Sequence, residues 1–415
     1  MRKVTLLDIG NLSRGKSKHR PRNDEILFGG NYPFVQTSDI KNANHILYKF
    51  EQTYNELGLK QSKLWNKNTI CITIAANIAE SAILGIDACF PDSVIGLEVN
   101  KEIADVHFVE YMLQNYKRIL QYQSYGTSQE NINLQTFEKV YFNIPTLSIQ
   151  KSIAKILYSI DKKIELNNKI NSELENLAKT LYEYWFVQFD FPDEFGRPYK
   201  SSGGKMVYDE KYNKIIPIGW KIQNLNKNDL TQIIQPSIDK FENEKIYLPT
   251  ANIQDDKIVD FSNKITFENR ESRANMQPKS NSVWFAKMKN SKKILYFADY
   301  SNEYLDNLIL STGLCGLHCK DSTLEFIWNT INSEYFEIKK DSLAHGATQQ
   351  AVNNDDLVSI PLLIPPSDII LKFHNKTKSL YYQKYINELE VQKLIELREF
   401  LLPMLMNGQI SVVAE

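Results

Sequence analysis

Two groups of side chains in this 415-residue sequence could carry metal-dependent chemistry. The first is Asp193 with the run Asp209-Glu210-Lys211, because an acidic–acidic–lysine set holds a divalent metal in some nucleases. Such acids normally lie on adjacent strands of a core sheet, whereas these flank a connector rich in Gly, Pro and Ser that we expect to be flexible. The first half of the chain has no counterpart. We therefore expect no nuclease site.

The second group is Cys315-Gly-Leu-His318-Cys319. Its spacing differs from the paired-cysteine zinc knuckle, and the matching segment of the first half, residues 95–99, contains no metal ligands. The alternating pattern predicts a buried strand instead. The other two cysteines also lack paired spacing and the N-terminus lacks a signal-peptide core, so we expect a metal-free chain in the reducing cytoplasm.

Other enzyme signatures are missing from the sequence. It lacks the Asn-Pro-Pro-aromatic motif and the glycine-rich cofactor loop of an adenine methyltransferase. We also expect no phosphate-binding loop of the GxxxxGK[ST] type. Neither the serines nor the six histidines form a recognisable nucleophile–base arrangement. No uninterrupted apolar run approaches the roughly 20 residues that a membrane helix needs. These observations predict a soluble protein without catalytic residues.

Positive charge is concentrated locally in both halves, although the formal net charge is only -1. Basic stretches attract nucleic-acid phosphates, and their presence in both halves favours DNA contact over a merely solvated loop. The candidate phosphate-contacting residues are Arg14, Lys16, Lys18, Arg20 and Arg22, and then Arg270, Arg273, Lys279, Lys287, Lys289, Lys292 and Lys293. The polar candidates for contact with base edges are Gln36, Thr37, Ser38, Thr250 and Asn252. A turn or capping role is an equal alternative for these polar residues.

A line of some twenty residues occurs twice, without a gap between the aligned copies. The matching residues of its turn are Gly126, Ser128 and Gln129 in the first copy and Gly346, Thr348 and Gln349 in the second. A small residue, a hydroxyl and an amide that recur in register are a stronger signal than any single motif. Weaker matches extend upstream, so each half is predicted to be a compact α/β domain with several short strands and one amphipathic helix.

Each copy of the line continues past an Ile-Pro pair into a predicted long helix. Apolar residues recur there at steps of three and four, which gives a narrow apolar stripe that a lone helix cannot bury. Because two related halves favour a pseudo-two-fold arrangement, we predict that the two helices pair antiparallel. The residues expected on the pairing face are Ile153, Ile160, Ile170, Leu174, Leu177, Leu181, Leu380, Asn387, Leu394 and Leu401. Asn167 and Asn387 either set the register or face solvent at the edge of the seam.

Taken together, the chain resembles the specificity subunit of a type I restriction-modification system over nearly its whole length. The resemblance rests on the two glycine turns, the Ile-Pro helix starts, the helix sequence IELNNKINSELENLA and the connector FPDEFGRPYKSSGGKMVYDEKYNKIIPIGW. It implies an α/β (α+β) architecture in which two similar target-recognition domains, in pseudo-two-fold arrangement, are separated by two long antiparallel helices that form a coiled-coil spacer. The implied segments are domain 1 at 1–146, helix 1 at 147–189, a linker at 190–216, domain 2 at 217–365, helix 2 at 366–408 and a tail at 409–415.

The resemblance also implies a function. Each recognition domain is expected to read one half of a bipartite site in double-stranded DNA, while the helices set the spacing and dock two modification subunits. S-adenosylmethionine, ATP and Mg are expected on partner subunits, which include the restriction subunits of the full complex. A type IIB-like specificity subunit is the alternative. A purely structural coiled-coil scaffold would explain the helices but not two α/β domains with basic loops.

Overall fold

The computed structural model describes residues 1–75, 78–125, 137, 139–210, 213–346 and 350–412. The chain divides into two compact units. Unit 1 comprises Met1–Asn168 and Leu389–Glu415, and unit 2 comprises Lys169–Glu388. The division falls inside both long helices, so each unit combines a sheet-containing domain with part of each helix.

The described part of unit 1 contains a large sheet, a small sheet and a two-stranded pair. The large sheet has the strand order Gly10–Arg14, Val94–Val99, Ile70–Thr73, Ser81–Leu84 and Ile46–Leu47. The small sheet has the order Gln52–Tyr54, Phe28–Phe34, Ala88–Cys89 and Leu64–Trp65. The pair consists of Arg2–Val4 and Phe142–Ile144. The helices of the domain are Leu6–Ile9, Thr37–Asn42, Glu56–Lys60 and Val106–Tyr125, with a 3-10 turn at Glu25–Leu27.

Unit 2 has the corresponding elements. Its large sheet has the strand order Thr231–Ile234, Leu314–Cys319, Ser282–Ala286 and Ile294–Phe297. Its small sheet has the order Lys264–Ile265, Lys245–Leu248, Leu308–Ser311 and Ala274–Met276. The two-stranded pairs are Lys221–Asn224 with Pro361–Ile364, Ile253–Gln254 with Lys257–Ile258, and Met206–Asp209 with Lys214–Pro217. The helices of the domain are Asn302–Asn307, Leu324–Ile331 and Glu334–Ser342, with 3-10 turns at Thr250–Asn252 and Asn354–Ser359.

The two units share one sheet topology, except that the large sheet of unit 1 has the additional edge strand Ile46–Leu47. In both large sheets, the four corresponding strands are joined by antiparallel pairings in the same order. In both small sheets one parallel pairing lies between two antiparallel ones: Phe28–Phe34 with Ala88–Cys89 in unit 1, and Lys245–Leu248 with Leu308–Ser311 in unit 2. The duplication inferred from the glycine turns therefore extends to the fold of the whole domain.

The central strands explain why the matching sequence segments are apolar. Every residue of Ile70–Thr73 and of Ser282–Ala286 is buried. Gly96 and Gly316 occupy the same place in the neighbouring strand, and a Cβ there would lie 2.5 Å from the Trp65 ring and 2.8 Å from the Trp284 ring. Glycine at this place lets a fully buried indole pack directly against the backbone.

The connector between the first helix and the second domain is folded, in contrast to the expectation of a flexible segment. Asp190 accepts hydrogen bonds from the backbone N–H and the hydroxyl of Ser201 at 2.7 and 2.6 Å. The Phe191 ring is stacked against Tyr199 and Trp220, with ring centroids 4.6 and 5.1 Å apart. Aromatic packing and a buried carboxylate thus hold the Gly- and Ser-rich stretch in one conformation.

Both long helices are present, as predicted. The first is Leu147–Tyr182 and continues through a π-helical turn at Glu183–Val187, and the second is Ser367–Met406. The buried seam of the first helix advances by fours and threes from Ile153 to Asn171, as in a coiled coil, and Ala178 follows one heptad later. Its buried residues are Ile153, Leu157, Ile160, Ile164, Asn167, Asn171 and Ala178.

The assignment of Ile170 and Leu177 to the pairing face is wrong, because their side chains are 37% and 56% exposed. From Ile164 the heptad steps lead to Asn167 and Asn171, so Ile170 falls one position short of the seam. Only the hydrophobicity of Ile170 had favoured its placement on the pairing face. Among the other predicted pairing residues, Leu174, Leu181, Leu380, Leu394 and Leu401 are partly buried.

Polar contacts show that the helices run antiparallel within each unit. In unit 1, Arg398 donates to Asp161 at 2.9 Å, and Asn167 donates to Glu390 at 2.8 Å. In unit 2, Asn387 donates to the side-chain oxygen of Asn171 at 2.9 Å, and Lys384 contacts Glu175. Asn167, Asn171 and Asn387 are each 6% exposed, so they lie in the seam and do not face solvent. A buried amide pair is satisfied in only one register, which makes it a register-setting contact.

Replacing one member of the amide pair should destabilise unit 2. Asn387→Val is expected to lower its free energy of unfolding by about 1–3 kcal/mol, because Asn171 is left with an unpaired buried amide. The double variant Asn171→Val/Asn387→Val is expected to recover most of that loss, since neither partner is then unsatisfied. Urea unfolding in a Trp65→Phe background measures this, because the remaining tryptophans all lie in unit 2.

Asn176→Val is the matched control, since Asn176 is exposed on the same helix. Equal destabilisation by Asn176→Val and Asn387→Val would contradict the register-setting role of the buried pair.

Candidate nucleic-acid interface

The basic stretch of unit 1 is an extended loop that follows the strand Gly10–Arg14. Exposure alternates along it: Gly15 and Ser17 are buried, whereas Lys16 and Lys18 are exposed. Gly15 is pressed against the turn before the strand Val94–Val99, where a Cβ would lie 2.3 Å from the Pro91 carbonyl oxygen. This close approach directs the intervening lysine side chains outward.

Neighbouring side chains hold the backbone of this loop. The Gln61 side-chain oxygen accepts hydrogen bonds from the N–H groups of Lys18 and His19 at 2.6 and 3.1 Å. The Ser62 hydroxyl donates to the carbonyl oxygen of Lys16 at 2.9 Å. Asp92 then pairs with Arg22 at 2.8 Å. The loop is therefore arranged before any ligand binds, which lowers the ordering cost of an interaction.

The cations of this loop differ in how they are used. Arg20 donates to the carbonyl oxygens of Ser17 and His19 at 2.7 and 2.8 Å, and it also lies 3.9 Å from Asp92. Among the described residues, Arg14, Lys16 and Lys18 form no ion pair. Their charges are exposed and uncompensated, which suits contact with phosphate groups.

Residues 10–17, Gly-Asn-Leu-Ser-Arg-Gly-Lys-Ser, match the GxxxxGK[ST] pattern of phosphate-binding loops, and this match was missed at the sequence level. In such loops the glycine-rich segment joins a strand to a helix whose N-terminus faces the phosphates. Here Gly10–Arg14 is itself a strand of the large sheet, and residues 15–24 form no helix. The match is therefore not a nucleotide-binding loop.

Part of the basic set of unit 2 gathers around the turn that precedes the strand Leu314–Cys319. Lys287 N–H donates to the Gly313 carbonyl oxygen at 3.1 Å, and Thr312 N–H donates to that of Arg273 at 3.0 Å. The Lys293 ammonium donates to the carbonyl oxygen of Thr250 at 2.5 Å. Residues far apart in sequence are thus brought to one edge of the domain.

Arg270 and Lys292, two other predicted cations of unit 2, are engaged within the domain. Arg270 lies over the Phe267 ring, with 4.2 Å between the guanidinium carbon and the ring centroid, and donates to the carbonyl oxygen of Phe267. Lys292 donates to the carbonyl oxygen of Asn332 at 3.0 Å. Lys279 is exposed just before the strand Ser282–Ala286. Arg270, Lys292 and Lys293 therefore each use a donor to support local backbone.

The polar candidates near these loops have local partners. The Gln36 backbone N–H donates to Asp39 at 2.8 Å, and its side chain donates to Gln52 at 2.6 Å. Thr37 and Ser38 form the first turn of the helix Thr37–Asn42. Asn252 donates to the carbonyl and carboxylate oxygens of Asp260, both at 3.3 Å. Capping and turn roles are therefore present for Gln36 and Asn252.

The glycine turns of the repeat lie mostly outside the described residues, which exclude Gly126, Ser128, Gln129, Thr348 and Gln349. Gly346 is described and has a φ of 129°, a backbone conformation that favours glycine. Further along the chain, the Gln350 carbonyl oxygen accepts a hydrogen bond from the N–H of Lys289 at 3.0 Å. Val352 N–H donates to the Lys287 carbonyl oxygen, also at 3.0 Å. Gln350 and Val352 therefore lie beside the turn between the strands Ser282–Ala286 and Ile294–Phe297.

The residues considered for metal chemistry do not form a metal site in the described part of the chain. Asp193 accepts hydrogen bonds from Arg197 Nε at 3.0 Å and from its own loop, and Asp209 lies on a separate hairpin. Cys315 and Cys319 are buried, whereas His318 is exposed on the same strand. Burial raises the pKa of the Cys315 thiol to about 12, which disfavours the thiolate that zinc needs. No cluster of three or more His, Cys, Asp or Glu side chains suited to a metal occurs among the described residues.

A buried ionic cluster that the sequence did not reveal joins the domain of unit 2 to the helix pair. Lys384 on the second helix contacts Glu175 on the first, and it lies 2.7 Å from Asp256 on the 253–258 hairpin and 3.5 Å from Glu388. Although burial opposes its charge, these carboxylates raise the pKa of Lys384 above its ordinary value. Burial and a hydrogen bond with Asp256 raise the pKa of Glu175 to about 7. The presence of three carboxylates around one ammonium thus favours the protonated form of Glu175.

Unit 1 has a corresponding anchor of different chemistry. The Tyr111 hydroxyl donates to Asp161 at 2.6 Å, and Arg398 pairs with the same carboxylate at 2.9 Å. The Tyr111 ring is stacked on His45 with centroids 4.1 Å apart, and His45 bonds to the buried Glu110 at 2.5 Å. The domain helix Val106–Tyr125 is thereby tied to both long helices.

The sequence comparisons agree with the architecture. Residues 1–176 match the family model described as type I restriction modification DNA specificity domain. The type I restriction enzyme MjaIX specificity subunit of Methanocaldococcus jannaschii is 24% identical over 423 residues, which cover 98% of this chain and 92% of that protein. The type I restriction enzyme HindI specificity subunit of Haemophilus influenzae is 22% identical over 469 residues, which cover 97% and 98%. The chain is related over its whole length to type I specificity subunits.

The fold of this chain is also similar to that of a solved structure. The crystal structure of the type I restriction-modification system S subunit from M. genitalium has a TM-score of 0.60 with it, at 13% identity and with 97% of this chain and 95% of that chain covered. The predicted fold class is confirmed. Among the described residues, no helix is long and apolar enough to cross a membrane.

The buried cluster predicts a pH-dependent stability of unit 2. Because the pKa of Glu175 is raised to about 7 in the folded chain, from 4.5 when exposed, the folded state binds more protons between these values. The stability contributed by this proton is complete below pH ~4.5 and is lost as the pH rises through ~7. Glu175→Gln, which mimics the protonated form, should remove roughly 1–3 kcal/mol of the loss between pH 5 and 8.

The measurement is the free energy of unfolding at each pH, compared between variant and parent. Glu173→Gln is the matched control, because Glu173 is exposed on the same helix. If Glu175→Gln and the parent lose stability equally over this range, the assignment of the proton to the cluster is wrong.

Proposed function

We propose that this chain is the sequence-specific DNA-recognition subunit of a type I restriction-modification complex. Each unit reads one half of a bipartite site, and the helix pair sets the spacing and docks two methyltransferase subunits. The observation that carries the proposal is the duplicated domain fold in a chain related over its whole length to type I specificity subunits. The uncompensated cations of the loop after Gly10–Arg14 provide the phosphate-contacting surface.

In this proposal the chain binds DNA and its partners perform the chemistry. S-adenosylmethionine would bind the methyltransferase subunits, and ATP and Mg would bind the restriction subunits. The first five residues of the GxxxxGK[ST] match form a strand and no helix follows them, which supports assigning ATP to a partner. The named relatives are type I subunits, which favours this function over a type IIB-like one.

The function can be tested by mapping methylated adenines in cells that express the chain together with its methyltransferase subunits. We expect a two-part motif with an unread gap, and no motif when the chain is omitted. A continuous motif, or methylation that does not depend on the chain, would refute the proposal. A coiled-coil scaffold would also differ in solution, because only a DNA reader should bind duplex DNA with a steep dependence on salt.

The spacer role predicts that gap length follows helix length. One seam-matched heptad is inserted between Asn167 and Asn168 and another between Leu389 and Glu390, which preserves the Asn167–Glu390 and Asn171–Asn387 contacts. The insertion lengthens each helix by about 10 Å, so the gap should grow by roughly three base pairs. Methylation mapping of the assembled complex measures the gap.

Seven residues inserted between Gly203 and Gly204 serve as the control, since this turn lies in the connector and outside the helix pair. An unchanged gap after the double heptad insertion would contradict the spacer role.

A further inference from the structure

The repeated topology makes positions in the two units directly comparable. In unit 1, Ile74 N–H donates to the Ser93 carbonyl oxygen at 3.0 Å, and in unit 2, Lys287 N–H donates to that of Gly313 at 3.1 Å. Both bonds join the end of a central strand to the turn that precedes its neighbour. We call this turn, residues 90–93 in unit 1 and 312–313 in unit 2, the edge turn. Ile74 and Lys287 are thus equivalent positions.

In unit 1 the edge turn is bordered by the basic loop. Gly15 packs against Pro91, and Asp92 holds Arg22 at 2.8 Å. The equivalent segment of unit 2, residues 235–244, follows the strand Thr231–Ile234. It exposes Asp239, Glu242 and Glu244 with the single cation Lys240. This segment carries net negative charge, so phosphate groups would be repelled where unit 1 attracts them.

In unit 2 the cations reach the edge turn from other segments. Lys287 and Lys289 come from the turn between Ser282–Ala286 and Ile294–Phe297, and the Arg273 carbonyl oxygen accepts the Thr312 N–H at 3.0 Å. The corresponding stretch of unit 1, residues 74–80, contains no Lys or Arg. Its acidic residue, Glu80, is paired with Lys117 at 2.8 Å.

We propose that both units bind the DNA backbone at the edge turn but do so with non-equivalent segments, residues 14–22 in unit 1 and Lys287 and Lys289 with Arg273 in unit 2. The proposal deepens the proposed function and rests on it. The fold fixes where DNA is contacted, because the edge turn is part of the sheet framework. The segment that supplies the cations differs between units, because surface loops can exchange charge without disturbing the core.

Salt-dependent binding by the full chain, assembled with its methyltransferase subunits, tests this assignment. The probe is a duplex that contains the mapped site. Lys16→Gln/Lys18→Gln and Lys287→Gln/Lys289→Gln should each reduce the steepness of log K against log salt by about 2, since each phosphate contact contributes ~0.9. Each pair should also weaken binding tenfold or more at moderate salt.

Two matched controls locate the effect. Lys240→Gln removes the cation at the place in unit 2 that corresponds to the basic loop of unit 1. Lys101→Gln removes an exposed cation that follows the strand Val94–Val99, at the end opposite the edge turn. Both should leave the salt dependence unchanged. Unchanged circular dichroism and thermal midpoints show that each variant is folded.

The outcomes separate the two proposals. If the parent complex binds its site with a steep salt dependence but Lys287→Gln/Lys289→Gln has no effect, or Lys240→Gln has an equal effect, the non-equivalent contact is refuted while the proposed function stands. If the parent complex shows no preference for its site over unrelated DNA, the proposed function itself fails.

Discussion

The structure depends on the narrow buried seam of the long helices. A helix such as Leu147–Tyr182 gains little stability in isolation and can bury a heptad stripe only against another helix. The second helix, Ser367–Met406, supplies that surface in both units. Because Asn167, Asn171 and Asn387 interrupt the apolar residues of the seam, only one register satisfies their hydrogen bonds.

The same seam carries the attachment of each domain. In unit 1 the carboxylate of Asp161 is shared by Arg398 across the seam and Tyr111 on the domain. In unit 2 the ammonium of Lys384 is shared by Glu175 across the seam and Asp256 on the domain. In both cases a charged side chain and its partners lie on three different elements, so displacement of any one element would break an ion pair or a charge-assisted hydrogen bond. Helix register and domain orientation are therefore coupled within each unit.

The duplicated domains show which features of the fold are the same in both copies and which differ between them. The strand order, the parallel pairing of the small sheet and the glycine under the indole ring all recur, because they are conditions of core packing. The charges of the loops around the edge turn do not recur. A change of surface charge does not alter core packing, so two copies of one fold can present different cations to a ligand at the same place.

Much of this architecture was predictable from patterns that are local in sequence. The glycine turns revealed the repeat, steps of three and four revealed the helices, and runs of Lys and Arg revealed the basic loops. Local pattern also misled. Hydrophobicity predicts Ile170 on the seam and glycine content predicts a flexible connector, and the structure contradicts both. Residues 10–17 match a phosphate-loop pattern, yet the first five of them form a strand.

By itself the sequence determined the duplicated domain plan, the two long helices and the charge of the candidate DNA-contacting loops, because each is written in neighbouring residues. Only the tertiary structure decided which polar residues lie in the seam, that Lys384 gathers Glu175 and Asp256, and that different segments meet the two edge turns. The physical reason is that burial and electrostatic pairing depend on distances between residues far apart in the chain, and folding alone sets those distances.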